Sequence, residues 1–222
     1  MIAQNLDAIS KQISKAAIDS GRSPSEITLI GVTKTKPLEM IKKAFEAGLT
    51  DVGENYVEDF SDKQTSYHPS GLNYHFIGRL PTKKVRKIVG KAHLIHSVGS
   101  VKLAKKIDFV SSEEKVRQDI LIQVNQGGEL SKSGIEPDNL EALMEEALAF
   151  PNIRIRGLMS IPPFHKPAQP YFRQLRHLRD NLQEKVGIEL PILSMGMSGD
   201  FVEAISEGAT HIRVGTAIFG ER

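Results

Sequence analysis

Ile27-Thr28-Leu29-Ile30-Gly31-Val32-Thr33 is a β-branched run, and it is followed by Lys34-Thr35-Lys36-Pro37 and a helical pattern that reaches about Ala47. Proline suits a first helical turn, because the N–H it lacks would have no partner there. Gly48 supplies the stop. This strand–loop–helix unit recurs along the chain. Further strands are expected at 51–53, 74–77, 94–98, 119–125, 153–159, 191–194 and 211–214, with helical patterns between them, for instance over 140–150 and 171–186. A leading helix is expected over about 6–18. Eight strands in strict alternation with seven helices predict an α/β fold with a parallel sheet, closed as a single (β/α)8 TIM barrel with an extra N-terminal helix and spanning 1–222 as one domain. An open doubly wound sheet is the second choice, since no Gly-x-Gly-x-x-Gly follows the first strand.

The 222 residues are 40% hydrophobic and 25% charged, the balance of a folded globular chain. Against 29 basic residues stand 27 acidic ones, a net charge of +2, so no electrostatic pull toward nucleic acid or an anionic membrane is expected. The absence of cysteine excludes disulfides, thiolate catalysis, zinc fingers and iron–sulfur clusters. No signal peptide or bilayer-spanning stretch is visible, and a cytoplasmic location is expected.

A barrel of this kind carries its chemistry on the loops that follow the strands. The loops after strands seven and eight, Met195-Gly196-Met197-Ser198-Gly199-Asp200 and Val214-Gly215-Thr216-Ala217, combine glycine with hydroxyls. Ser198 or Asp200 is expected to cap the helix that starts there. Two adjacent loops of this composition point to a phosphate pocket, where exposed N–H groups meet an anion. Lys34 ends the first strand. At a barrel mouth, partial desolvation would free its amine to attack a carbonyl. Lys36 competes, but it directly precedes Pro37 and belongs to the loop, so Lys34 is preferred. Arg213, between outward-facing Ile212 and Val214, is expected to point into the barrel top. A structural ion pair with Glu54 or Asp200 would also explain it. Arg154 and Arg156 lie early in strand six and are assigned to the lower core or bottom rim. The basic run Lys83, Lys84, Arg86, Lys87 and Lys91 reads as a solvated helix face.

A lysine amine, a phosphate cradle and an arginine around one mouth match the needs of pyridoxal 5′-phosphate. The segments Val32-Thr33-Lys34-Thr35-Lys36-Pro37, Gly53-Glu54-Asn55-Tyr56-Val57, His75-Phe76-Ile77-Gly78, Ile95-His96-Ser97-Val98, Leu193-Ser194-Met195-Gly196-Met197-Ser198 and Ile212-Arg213-Val214-Gly215-Thr216-Ala217-Ile218-Phe219-Gly220 occur in order. Together they resemble the pyridoxal-phosphate homeostasis protein family, the YggS or PROSC type, over about 27–220. That family is in turn similar to the barrel domain of alanine racemase, a fold-type III pyridoxal-phosphate architecture. The resemblance implies that Lys34 holds the cofactor reversibly as an aldimine. It also implies that Ser198 and the backbone of Gly215 and Thr216 bind the phosphate, that Arg213 faces the pyridine nitrogen, and that Asn55 lies beside the ring. A role in vitamin B6 and amino-acid homeostasis follows from the same resemblance.

The chain departs from the family pattern at two places. Leu80 is followed by Pro81-Thr82-Lys83-Lys84 where a Gln and an Asn are common, and Gly99 stands where an acid is common. Both lie away from the lysine and phosphate loops, so they bear on a surface-partner function of that region. The expectation is a cofactor-binding protein without robust catalysis. An arginine at the pyridine nitrogen restrains the electron sink, and the chain ends at Arg222 without the domain that supplies alanine racemase with its second base, a tyrosine. A weak amino-acid racemase is the alternative, and a barrel isomerase or aldolase acting on a sugar phosphate without a cofactor is a third reading. A monomer is expected, with protein partners left open.

Overall fold

The computed structural model describes residues 1–128 and 133–221. It is a closed barrel in which eight parallel strands pair in sequence order and the last returns to the first. The strands are β1 (Thr28–Val32), β2 (Asp51–Glu54), β3 (Asn73–Phe76), β4 (Leu94–Val98), β5 (Gln118–Val124), β6 (Ile153–Ser160), β7 (Ile192–Met197) and β8 (His211–Val214). Helix α1 (Ile2–Asp19) precedes them. Between and after the strands run α2 (Leu38–Glu46), α3 (Val57–Ser66), α4 (Val101–Glu113), α5 (Leu140–Leu148), α6 (Gln169–Val186), α7 (Phe201–Ser206) and α8 (Thr216–Phe219).

The expected eight strands are all present, within a few residues of their anticipated limits. One connection differs from expectation. Between β3 and β4 there is no α-helix but a 3-10 segment, Thr82–Lys87. Pro81 opens it and Gly90, at φ +75°, follows it. That interval leaves room for only about two turns, which suits the tighter helix. Its basic residues are solvated as anticipated, and some are also paired: Lys84 with Glu58 at 2.8 Å, and Arg86 with Glu113 and Glu114.

The main apolar core lies between the sheet and the surrounding helices. Its fully buried members include Ile41, Phe60, Ile107, Phe172 and Ile212. Val214 joins them, so the outward direction of Ile212 and Val214 holds and the residue between them, Arg213, is turned inward. A second, much smaller cluster consists of Leu94, Leu121 and Met159. The barrel is therefore apolar outside its strands and mixed inside them. At the N-terminal rim of the sheet, Arg154 forms a two-pronged pair with Asp119, both contacts at 2.7 Å, and Arg156 lies 3.8 Å from the same carboxylate. Both arginines are thus at the bottom rim. No helix among the described residues is long and apolar enough to cross a membrane.

Candidate functional site

The site starts where β1 stops. The Lys36 N–H donates to the Thr33 carbonyl at 3.0 Å, closing a four-residue turn in which Lys34 is the second residue and Thr35 the third. Thr35 has φ +64°, a left-handed conformation that is unfavourable for a β-branched residue. Such strain costs on the order of 1–3 kcal/mol and persists only where the surroundings enforce it. Below the turn, the buried Thr33 donates its N–H to the Gly53 carbonyl at 3.0 Å and its hydroxyl to Glu54 Oε1 at 2.6 Å. Lys63, reaching in from α3, completes the support: its Nζ donates to Glu54 Oε1 at 2.6 Å and to the Thr33 carbonyl at 2.8 Å. Burial pushes the Glu54 carboxyl up from its ordinary pKa, against the opposing pull of Lys63 and Thr33. Glu54 is therefore not an ion partner of Arg213; its cation is Lys63.

Both candidate lysines line one cavity at the C-terminal face of the barrel, but the Lys36 amine is engaged by backbone carbonyls. Lys36 turns to the end of the chain, where its Nζ donates to the carbonyls of Gly220 at 3.0 Å and Glu221 at 2.8 Å. Lys34 lines this cavity, of about 290 Å³, together with Ser198, Arg213, Gly215 and Thr216. Five of the six anticipated site residues thus meet in one cavity. Ser198 joins its two loops by accepting a hydrogen bond from the Gly215 N–H at 3.3 Å. The expected helix cap is not made. Asp200 occupies the N-cap position of α7 without a side-chain cap, because its Oδ1 instead accepts from the Met197 N–H at 2.6 Å and closes the loop around Ser198.

Asn55 is placed differently. It lines a neighbouring cavity of about 200 Å³ with Gly78, Arg79, Gln123 and Asn125. Its buried Oδ1 has no hydrogen-bond partner among the described residues. Gly78 packs so closely here that a Cβ on it would lie 1.9 Å from the Asn55 carbonyl oxygen. The chain's departures from the family pattern, Pro81, Lys83 and Gly99, line yet another cavity with Lys102 and Ser97, away from Lys34.

Arg213 is 5% exposed. Its Nη1 donates to Ser194 Oγ at 2.6 Å and its Nη2 to the Ser160 carbonyl at 2.9 Å. Neither of the anticipated carboxylates pairs with it. Burial lowers its pKa to about 10, with Asp200 opposing, so it remains a cation at neutral pH. The hydrogen bonds do not end at Ser194. Ser194 Oγ lies 2.8 Å from His96 Nδ1, His96 Nε2 lies 3.0 Å from His75 Nδ1, and His75 Nε2 lies 2.9 Å from Asp51 Oδ1. Sequence reasoning placed His75 and His96 in recognisable segments but gave them no role. The contacts that define one cross the barrel between strands far apart in the chain.

Comparison with known proteins agrees with this fold. The family described as alanine racemase, N-terminal domain, matches residues 4–222. A pyridoxal phosphate homeostasis protein of Aquifex aeolicus is 45% identical over 222 residues, covering 99% of this chain and 97% of that one. Its counterpart in Pseudomonas aeruginosa is 41% identical and covers 100% of this chain and 96% of its own length. Among solved structures, PipY of Synechococcus elongatus with pyridoxal phosphate bound superposes with a TM-score of 0.89 at 35% identity, over 99% of this chain and 100% of that one. Alanine racemase of Corynebacterium glutamicum shares the fold, with a TM-score of 0.73 at 18% identity over 98% of this chain and 61% of the racemase. The chain belongs to the pyridoxal phosphate homeostasis proteins, within the wider family of the alanine racemase N-terminal domain.

Proposed function

We propose that this protein binds pyridoxal 5′-phosphate reversibly through Lys34 and acts in the homeostasis of that cofactor and of amino acids, rather than as a robust catalyst. The observation that carries the reading is the convergence of Lys34, Arg213, Ser198, Gly215 and Thr216 on one cavity. Among its described lining residues are cations but no carboxylate, which suits a dianionic phosphate. A Cβ added at Gly199 would meet nothing within 4 Å, so the backbone of that loop is open to a close-lying group. Thr216, the first residue of α8, lies with Ser198 and Gly215 in the lining of that cavity.

When bound, pyridoxal phosphate supplies an aldehyde that condenses with a primary amine and releases water. The chain's own residues then divide the work. The strained turn presents the Lys34 amine, and the Thr33–Glu54–Lys63 cluster fixes the base of that turn. Ser198, Gly215 and Thr216 hold the phosphate. Arg213, permanently charged, opposes protonation of a ring nitrogen set against it, which favours retention over turnover. None of the four tyrosines lies among the described lining residues of this cavity, so no second base of that type faces Lys34.

The test is spectroscopic. Protein mixed with pyridoxal phosphate should develop a band near roughly 420 nm that vanishes on borohydride reduction. Mass spectrometry of the digested adduct should then find the label on Lys34. Absence of the band, or a label reproducibly on another lysine, refutes the reading.

A further inference from the structure

Arg213 has no carboxylate partner within ion-pair distance among the described residues, yet it is buried and charged. What it has instead is a single file of hydrogen bonds leading to a carboxylate at the other end of the barrel. Asp51 opens β2, His75 is on β3, His96 on β4 and Ser194 on β7. The His96–Ser194 contact joins strands that are not neighbours in the sheet, so the file runs through the barrel interior.

The two ends fix the direction of every link. A guanidinium only donates and a carboxylate only accepts. Ser194 Oγ accepts a hydrogen bond from Arg213, which leaves its own O–H to donate to His96 Nδ1. His96 then carries its proton on Nε2 and donates a hydrogen bond to His75 Nδ1, and the His75 Nε2–H donates to Asp51. With both rings neutral each nitrogen is used once, and no donor faces a donor. One extra proton would reverse the two inner links and leave Ser194 Oγ facing two donors. Burial opposes that state: His75 and His96 are 1% and 0% exposed. The other charged or titratable groups around the file are His93, whose ring centroid is 5.2 Å from that of His75, His211, 6.2 Å from both rings, and Asp200, which acts on Arg213.

We propose that His96, His75 and Asp51 are positioning residues of the cofactor pocket, which hold the Ser194 hydroxyl as an acceptor through a one-way hydrogen-bond chain and thereby fix the Arg213 guanidinium at the ligand. The inference rests on the binding role proposed above, but the chain exists in the protein without ligand and is tested there first. In ligand-free protein labelled with ¹⁵N-histidine, the imidazole spectra at neutral pH should show both His75 and His96 protonated on Nε2 alone. Either ring protonated on Nδ1 overturns the proposal, and this measurement needs no variant. In protein loaded with pyridoxal phosphate, His96→Phe should shift the visible band and weaken retention about tenfold or more, the effect of losing one hydrogen bond to a charged group. His96→Gln, whose carboxamide can accept from Ser194 and donate to His75, should restore both. If His96→Phe changes neither band nor retention while Arg213→Lys changes them, the positioning role is refuted. Wild-type protein that takes up no cofactor refutes the binding role at Lys34, whereas reversed tautomers refute the chain alone, so the two failures are distinguishable.

Discussion

Stability should fall steeply with mild acid, and the reason is the pair of histidines sealed inside the barrel. Burial holds both His75 and His96 below the ordinary histidine pKa of 6.5; Asp51 opposes the shift at His75, while neighbouring histidines add to it at His96. In the unfolded chain each binds a proton as the pH drops through that value, while in the fold each stays neutral. The unfolded state therefore binds more protons, and stability is complete above pH 6.5 and is lost below it. Each such proton is worth about 1.4 kcal/mol per pH unit, so two give roughly 3 kcal/mol per unit. A slope of that size is large against the roughly 5–15 kcal/mol that typically stabilises a domain. His211, whose pKa burial lowers to about 3, adds in the same direction but is partly open to solvent. Asp51 does not contribute in this window. Burial raises its carboxyl, but bonds from His75, Thr50 and Asn73 outweigh that and hold it at about 2, so its share is lost only as the pH falls from 3.8 toward that value. The assay is urea unfolding at a series of pH values, from which the slope of stability against pH is read. His96→Gln removes one of the protons and should reduce the slope by about 1.4 kcal/mol per unit. A wild-type slope at or below one proton's worth between about pH 6 and pH 5 would refute the assignment of two neutral buried rings.

Three other outcomes are expected. Ser198→Ala should weaken pyridoxal phosphate binding by about 1.5–3 kcal/mol, the worth of a hydrogen bond to a charged group, measured by titration of the visible band. Lys63→Met leaves Glu54 buried without its cation and should cost about 3–5 kcal/mol in denaturant unfolding, whereas an exposed ion pair such as Lys11–Asp7 should cost under about 1 kcal/mol when broken. Thr35→Gly relieves a left-handed β-branched residue; it should leave stability unchanged or raise it by up to about 1 kcal/mol, while the looser turn slows attachment of the cofactor at Lys34, followed by stopped-flow absorbance.

The barrel was legible because its strands announce themselves twice, as β-branched runs and by their regular alternation with helices. That Lys34, Ser198, Arg213, Gly215 and Thr216 meet in one cavity could be anticipated from their places at the ends of strands, since closure of the sheet brings those ends together whatever the details of packing. What the sequence hides is contact across the interior. His96 and Ser194 are 98 residues apart and sit on strands that never pair. Alternation told that Arg213 points inward but not that its partner would be a serine rather than Glu54 or Asp200. The Glu54–Lys63 pair was hidden in the same way, because a lysine in α3 reads as solvent-exposed until the helix is docked. Asp200 was misjudged as a cap because the same side chain can serve either a helix end or its own loop, and the tight turn at Met197 decides between them.

The two apolar regions of the molecule have unequal duties. Most of the buried hydrocarbon lies in the annulus where strands meet helices, and the lumen holds a smaller apolar set, Leu94, Leu121 and Met159 among it, beside its polar file. Cohesion and the proposed ligand recognition thus fall on opposite faces of the same strands. Damage to the annulus should be read in melting curves, and damage to the upper lumen first in the colour of the loaded protein. A barrel arranged in this way can have its interior respecified without being dismantled.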